Sequence, residues 1–226
     1  MNQNLSKITV IIRAYNPGDS IKSAIKSVLS QTLDSSFYET VIIDDGSTED
    51  LAKILGEFNN NIKVIRQRHL GPVGAANTGI KNSKGEYIIL LDSDDTFSPS
   101  ILEEMINIFS ENNDIDFVYC DYYEKVPGKK AGVVSLKDNI FNSVAAGIMF
   151  KKSVLEQVGG YNENFVFAEY DLLIRLKEKG CKGRHIPRPL YSYKRRSGSI
   201  TSDKKKIDFA KEQIKKKYGE INIRAY

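Results

Sequence analysis

The chain has 226 residues, 33 Lys and Arg against 29 Asp and Glu and a net charge of +4, so as a whole it is not a polycation. Its 41% apolar content suits a globular protein with a real core, as one large domain or two halves sharing a sheet. Cys120 and Cys181 form no metal or redox spacing, residues 1–7 carry no apolar leader, and no window reaches transmembrane length. The expectation is therefore a reduced protein of the cytoplasm, working there or at the inner face of the membrane.

The first half alternates apolar runs with helical patterns. Residues 8–12 are predicted as a strand closed by Asn16-Pro17-Gly18. Ile21, Ala24, Ile25, Val28 and Leu29 recur at helical spacing and predict a helix over 20–31. Strands are predicted over 41–43, 63–65 and 87–91, and helices over 51–58, 74–81 and 101–109. A strand over 117–119 closes the set. This alternation implies a parallel sheet covered on both faces.

The second half is less regular. Residues 126–131 read as a loop, 148–150 and 190–193 as strands, and 169–179 as a helix stopped by Gly180. Lys204, Lys205, Lys206, Lys211, Lys215, Lys216 and Lys217 make the end of the chain basic. A helix over 205–217 would place Ile207, Ala210 and Ile214 on one side. That helix is either a solvated face packed on the domain or a peripheral contact with anionic lipid. Nucleic acid is not expected, because aromatic residues are not interleaved with the lysines beyond Phe209 and Tyr218.

The chemistry concentrates where strands end. Asp92, Asp94 and Asp95 follow the apolar run 87–91, too close together to stand without a counter-charge. Hard oxygen ligands suit Mg²⁺ or Mn²⁺, and open α/β sheets bind ligands at the carboxyl ends of their strands. Asp44 and Asp45 end a second apolar run, although Asp44-Asp45-Gly46-Ser47 taken alone reads equally as a turn. Tyr15 follows the first strand and could stack on a nucleobase. Arg13, a charge at a strand end, needs either one of these carboxylates or a ligand phosphate.

Five segments, in this order, resemble family 2 glycosyltransferases, inverting enzymes of the GT-A fold. They are Ile11-Ile12-Arg13-Ala14-Tyr15-Asn16, Ser30-Gln31-Thr32, Ile43-Asp44-Asp45-Gly46-Ser47, Ala75-Ala76-Asn77-Thr78-Gly79-Ile80, and Gly85-Glu86-Tyr87 running into Leu91-Asp92-Ser93-Asp94-Asp95. The resemblance spans about 7–201. It implies an α/β fold with a Rossmann-like, mostly parallel central sheet and helices on both faces. It also implies one GT-A domain over 1–202, with a nucleotide-sugar half over about 1–123 and an acceptor half over about 124–202. Residues 203–226 would then be a basic helix and tail.

The resemblance assigns roles by position. Tyr15 and Asp45 match residues that hold the nucleobase, with Asp44 and Arg13 in the same nucleotide site. Asp92 and Asp94 match the Asp-x-Asp motif, which meets ribose and a Mn²⁺ or Mg²⁺ on the diphosphate. The general base is expected at Glu169, which precedes Tyr170-Asp171-Leu172 and stands where the family has Asp; Asp171 is the less favoured alternative. Arg195 and Arg196 lie in a segment that can fold over the diphosphate, with Arg196 where a His is usual. The Gly159-Gly160-Tyr161 turn would shape the floor of the acceptor cleft, and neither His69 nor His185 is expected in catalysis.

The implied activity is metal-dependent transfer of a sugar from a nucleotide sugar, UDP-sugar favoured, to a hydroxyl of a glycan or lipid-linked saccharide. Arg13, Ala76, Glu169 and Arg196 depart from the family pattern. They favour an alternative, a nucleotide-binding module of the same fold with weak or no turnover.

Overall fold

In the computed structural model residues 8–58, 60–137, 140, 146–195 and 203–220 are described. Strands β1 (Ile8–Ala14), β2 (Tyr38–Asp44), β3 (Lys63–Arg66) and β4 (Tyr87–Asp92) pair in parallel in the order β3-β2-β1-β4. β1, β2 and β4 are buried along nearly their whole length, so they read as continuous apolar runs and not as alternating ones. Helices α1 (Ser20–Leu29), α2 (Leu51–Leu55) and α3 (Gly71–Asn82) make the crossovers. The predicted 51–58 helix is shorter than expected, its last turn tightening to 3-10 geometry over Gly56–Phe58. Gly79 lets α3 lie close to β1, because a Cβ there would fall 2.4 Å from Cγ2 of Ile11.

Past β5 (Thr96–Phe97) and α4 (Ile101–Glu111) the sheet becomes mixed. β6 (Phe117–Lys125), β7 (Gly132–Val134), β8 (Ile148–Lys151) and β9 (Gly183–Lys194) extend it beyond β4, with α5 (Lys152–Gln157) and α6 (Ala168–Glu178) between. β8 runs antiparallel to both β4 and β6, β9 parallel to β6, and β5 antiparallel to β9. The described strands make one nine-stranded sheet. β6 and β9 are much longer than the predicted 117–119 and 190–193. Asp121, Arg184, His185 and Pro189 break the apolar pattern, and the ladder passes Pro187 and Arg188 through a bulge opposite Cys120 and Asp121.

Apolar side chains pack on both faces of the sheet, Ile12, Ile25 and Leu102 on one and Ile11, Ala76 and Leu172 on the other. A third cluster joins Ile207, Ala210 and Ile214 of α7 (Lys204–Tyr218) to Tyr170 and Ile174 of α6 and to Phe167 just before it. Each fully buried isoleucine contributes roughly 1.5–3 kcal/mol, enough to dock a helix whose other faces are lysine-rich. Among the described residues no helix is long and apolar enough to cross a membrane.

Candidate active site

The chain leaves β1 toward β2 on one side, and β4 lies on the other. The carboxyl ends of β1 and β4 therefore frame a switch point, where open α/β sheets form a crevice. Register places Arg13 opposite Asp92 and Ala14 opposite Asp44, so three charged residues from distant segments share one sheet edge.

Asp45 lies just beyond β2 and is buried. Its Oδ1 accepts from Gln67 Nε2 at 2.6 Å and the Leu70 amide at 2.8 Å. Its Oδ2 accepts from the Gly71 amide at 2.8 Å, and His69 Nδ1 lies 2.8 Å from Oδ2 and 3.1 Å from the Asp45 carbonyl oxygen. Three donors thus engage the carboxylate, which has about four acceptor sites. These contacts give Asp45 a scaffold role for the 67–71 loop. Asp44 accepts from the Ser47 amide at 2.9 Å, and its Oδ2 meets Arg66 Nε only at 3.7 Å, which leaves acceptor capacity at that strand end. Gly46 makes the turn possible: its φ is +78°, and a Cβ would lie 2.8 Å from the His69 amide nitrogen.

Tyr15 is half exposed and stacks on His69, ring centroids 4.1 Å apart and planes 27° from parallel. His69, set aside in the sequence, is thus beside the expected nucleotide site; the one sequence signal for it was its place in the loop before α3.

The 92–95 turn divides its acids. The Asp92 side chain is 40% exposed and accepts from Arg13 Nε at 2.9 Å and Nη2 at 2.7 Å. Asp95 is buried and accepts from the Tyr191 hydroxyl and the Lys194 amide, both at 2.7 Å, tying the turn to β9. Burial and the charges of Asp92 and Asp94 push the Asp95 carboxyl up to about 8, against the pull of those two donors. Asp94 lies between them, partly exposed.

Glu169 reaches the same cleft from the first turn of α6. Its Oε1 is 3.7 Å from Nη1 of Arg13, so one guanidinium spans Asp92 and Glu169. Burial raises the Glu169 carboxyl above the ordinary glutamate range, with Arg13 opposing and Asp92 reinforcing the shift. Burial disfavours the Arg13 cation, but Asp92 and Glu169 more than offset it and keep it charged.

Tyr161 was read as part of the cleft floor; its phenol is buried within electrostatic range of Glu169, Arg13 and Asp92. Asn77 of α3 holds that turn, accepting from the Tyr161 amide and donating to its carbonyl, both at 2.9 Å. Asp171 faces elsewhere. It is fully buried and accepts from Arg175, Lys217 and Tyr218. Burial alone would raise its carboxyl, but these donors outweigh it and hold it below the usual range. A weakened base with filled lone pairs does not suit proton abstraction.

Arg195 pairs through Nε with Glu124 at 3.1 Å, and Arg196 lies outside the described residues. Burial pushes the Cys120 thiol up to about 12, which removes it as a nucleophile. No group of three or more His, Cys, Asp or Glu side chains among the described residues could hold a metal ion alone. Asp94, with Asp92 beside it, fits the mode in which Mg²⁺ or Mn²⁺ takes one or two carboxylates, with phosphate oxygens and water completing the shell.

Comparison with known proteins bears on this site. A family profile described as glycosyl transferase family 2 matches residues 9–159. WfaP of Escherichia coli is 30% identical over 220 residues, covering 94% of this chain and 86% of its own length. It is described as a UDP-Glc:alpha-D-GlcNAc-diphosphoundecaprenol beta-1,3-glucosyltransferase. The chain spans 23% of the length of one further relative and 51% of another. Among solved structures, residues 1–349 of S. aureus TarS in complex with UDP-GlcNAc superpose with a TM-score of 0.74 at 20% identity. The match covers 96% of this chain and 68% of that one. The mannosyltransferase PcManGT of Pyrobaculum calidifontis, in complex with GDP-Man and Mn²⁺, superposes with a TM-score of 0.72 at 14% identity over 96% and 66%. The fold is that of GT-A glycosyltransferases, and the chain belongs to glycosyltransferase family 2, an inverting family.

Proposed function

We propose that the chain transfers a sugar from a nucleoside diphosphate sugar to a hydroxyl of a saccharide, with inversion at the anomeric carbon. The observation that carries this reading is the Asp92–Arg13–Glu169 line. It joins the acids of the nucleotide half to a carboxylate from the second half across one cleft. Glu169 takes the proton of the acceptor hydroxyl as that oxygen bonds to the anomeric carbon. The bond to the diphosphate breaks on the opposite side and its electrons leave with the nucleotide. The raised Glu169 carboxyl makes a stronger base than an exposed glutamate.

Tyr15 supplies the surface for the nucleobase, Asp44 an acceptor for base or ribose, and Asp92 an acceptor for ribose. Asp94 would hold Mn²⁺ or Mg²⁺ with Asp92 nearby; when bound, the ion neutralises charge on the leaving diphosphate. Arg195 could serve the diphosphate by exchanging Glu124 for phosphate. Arg13 keeps Asp92 and Glu169 from repelling each other before the donor arrives.

UDP-sugars are the favoured donors, supported by WfaP and by TarS with UDP-GlcNAc, and the Mn²⁺ in PcManGT supports the metal. A lipid-linked saccharide in cell-surface polysaccharide or glycoconjugate synthesis is the favoured acceptor, supported by the diphosphoundecaprenol acceptor of WfaP. A peripheral contact of α7 with the inner face of the membrane suits that acceptor. Lys205, Phe209 and Lys216 share the side of α7 away from Ile207, Ala210 and Ile214, and Phe209 is 54% exposed.

A panel of sugar nucleotides, scored for nucleotide release with Mn²⁺, with EDTA and in Asp94→Ala, tests the reading. Metal-dependent release from one donor that is lost in Asp94→Ala is the expected result. Binding of nucleotide without any turnover would instead favour the module that does not turn over.

A further inference from the structure

Glu169 and Asp171 share the first turn of α6, and residues two apart on a helix project about 200° from each other. Glu169 faces the cleft, and Asp171 faces α7. Asp171 Oδ1 accepts from Lys217 Nζ at 2.9 Å and from the Tyr218 hydroxyl at 2.6 Å, both from the last turn of α7. Its Oδ2 accepts from Arg175 Nε at 2.7 Å, and the other Arg175 nitrogens donate to the carbonyls of Val158 and Gly160. One turn back on α7, Gln213 grips the segment that leads into α6. Its Oε1 accepts from the Val166 amide at 3.1 Å, and its Nε2 donates to the Asn164 carbonyl at 2.8 Å.

What α6 lacks is a cap of its own. Phe167 stands at its N-cap and makes no side-chain cap bond to the first turn. An uncapped first turn frays most easily, and this one carries Glu169.

We propose that α7 is a positioning element for Glu169, in which Lys217, Tyr218 and Gln213 supply from outside the restraint a capping side chain would supply from within. The proposal rests on the reading of Glu169 as the base. Loosening α7 displaces Glu169 relative to the attacking hydroxyl and leaves the strand-end donor contacts as they are. Turnover is steeply sensitive to such displacement, on the order of 10²-fold for 1 Å.

The test uses the full chain with UDP-GlcNAc and UDP-glucose as donor probes, Mn²⁺ present and nucleotide release as the readout. In the Lys217→Met/Tyr218→Phe double variant kcat falls by about 10- to 100-fold. The donor KM and UDP affinity by calorimetry stay within about twofold, since the donor contacts are untouched. Lys217→Arg restores most of the loss caused by Lys217→Met. Tyr218→Phe alone removes one hydroxyl and keeps its ring, so it reports in the same direction even if the double variant fails to fold. An unchanged kcat in these variants overturns the proposal, and so does a parallel rise in donor KM, which marks general loosening. Glu169→Gln, run alongside, separates the two readings. If it turns over like the parent, the base assignment fails; if it is inactive while the α7 variants are not, only the positioning role fails.

Discussion

Arg13, Asp44 and Asp92 on one side of the cleft and Glu169 on the other are held by different kinds of contact. The first three sit on neighbouring parallel strands, where backbone register sets their spacing to within a residue. Glu169 sits on the first turn of a helix without a side-chain cap, and Gln213, Lys217 and Tyr218 of α7 bond the residues around it, Val166 and Asp171. The proposed nucleotide side is thus a rigid edge, and the proposed base side is assembled from side-chain contacts across long stretches of chain. Substitutions on the two sides should consequently fail differently.

The largest expected effect is on the assembled side. Glu169→Gln should lower kcat by about 10²–10⁴-fold while leaving nucleotide affinity intact. Steady-state kinetics beside calorimetry measures both, and parent-like turnover would remove Glu169 as the base. On the rigid edge, Asp94→Ala should cost about 10²–10³-fold in turnover and abolish the metal dependence of nucleotide binding. UDP affinity equal with Mn²⁺ and with EDTA in the parent would sink the metal role.

Asp171 sharpens the contrast through stability. Replacing one partner of a buried charge network costs about 3–5 kcal/mol, so Asp171→Asn should lower unfolding stability by that order at pH 7. The folded carboxyl lies below its ordinary value of 3.8. Its contribution is therefore complete above that value and is lost as pH falls through the lower folded one. Urea titrations across that acid range should show a steeper loss in the parent than in Asp171→Asn, and equal slopes would reject the network.

The smallest effect belongs to the stacking surface. Tyr15→Ala should weaken nucleotide binding by roughly 1–3 kcal/mol with little change in kcat. His69→Ala should act the same way and more weakly, because His69 backs Tyr15 and meets Asp45. A change in kcat without a change in nucleotide affinity would place this pair outside the nucleotide site.

Asp44, Asp45, Asp92, Asp94 and Asp95 were legible because each follows a run of buried apolar residues, and a strand end is where a parallel sheet opens to a ligand. Which acid does what was not legible. In the folded molecule Asp45 also holds the 67–71 loop and Asp95 holds β9, which no local pattern announces. His69 was set aside because a lone His carries no local pattern, and Tyr161 was legible only as part of a Gly-Gly-Tyr turn, not as a neighbour of Glu169. β6 and β9 were under-read for a related reason, since polar residues and prolines at a bulge erase the two-residue period.

By itself the amino-acid sequence determined the strand–helix alternation of the first half, the family and the candidate acids, because these rest on short-range patterns of apolar residues, glycines and carboxylates. Tertiary structure alone decided that Arg13 bridges Asp92 and Glu169, that Asp45 and Asp95 hold the 67–71 loop and β9, and that α7 grips the helix carrying Glu169. Those outcomes depend on which groups 25 to 156 positions apart share a hydrogen bond or ion pair, as Asp45 does with the Leu70 amide and Arg13 with Glu169. Local pattern carries no record of such pairings, because the chain must fold before the groups compete for the same lone pairs.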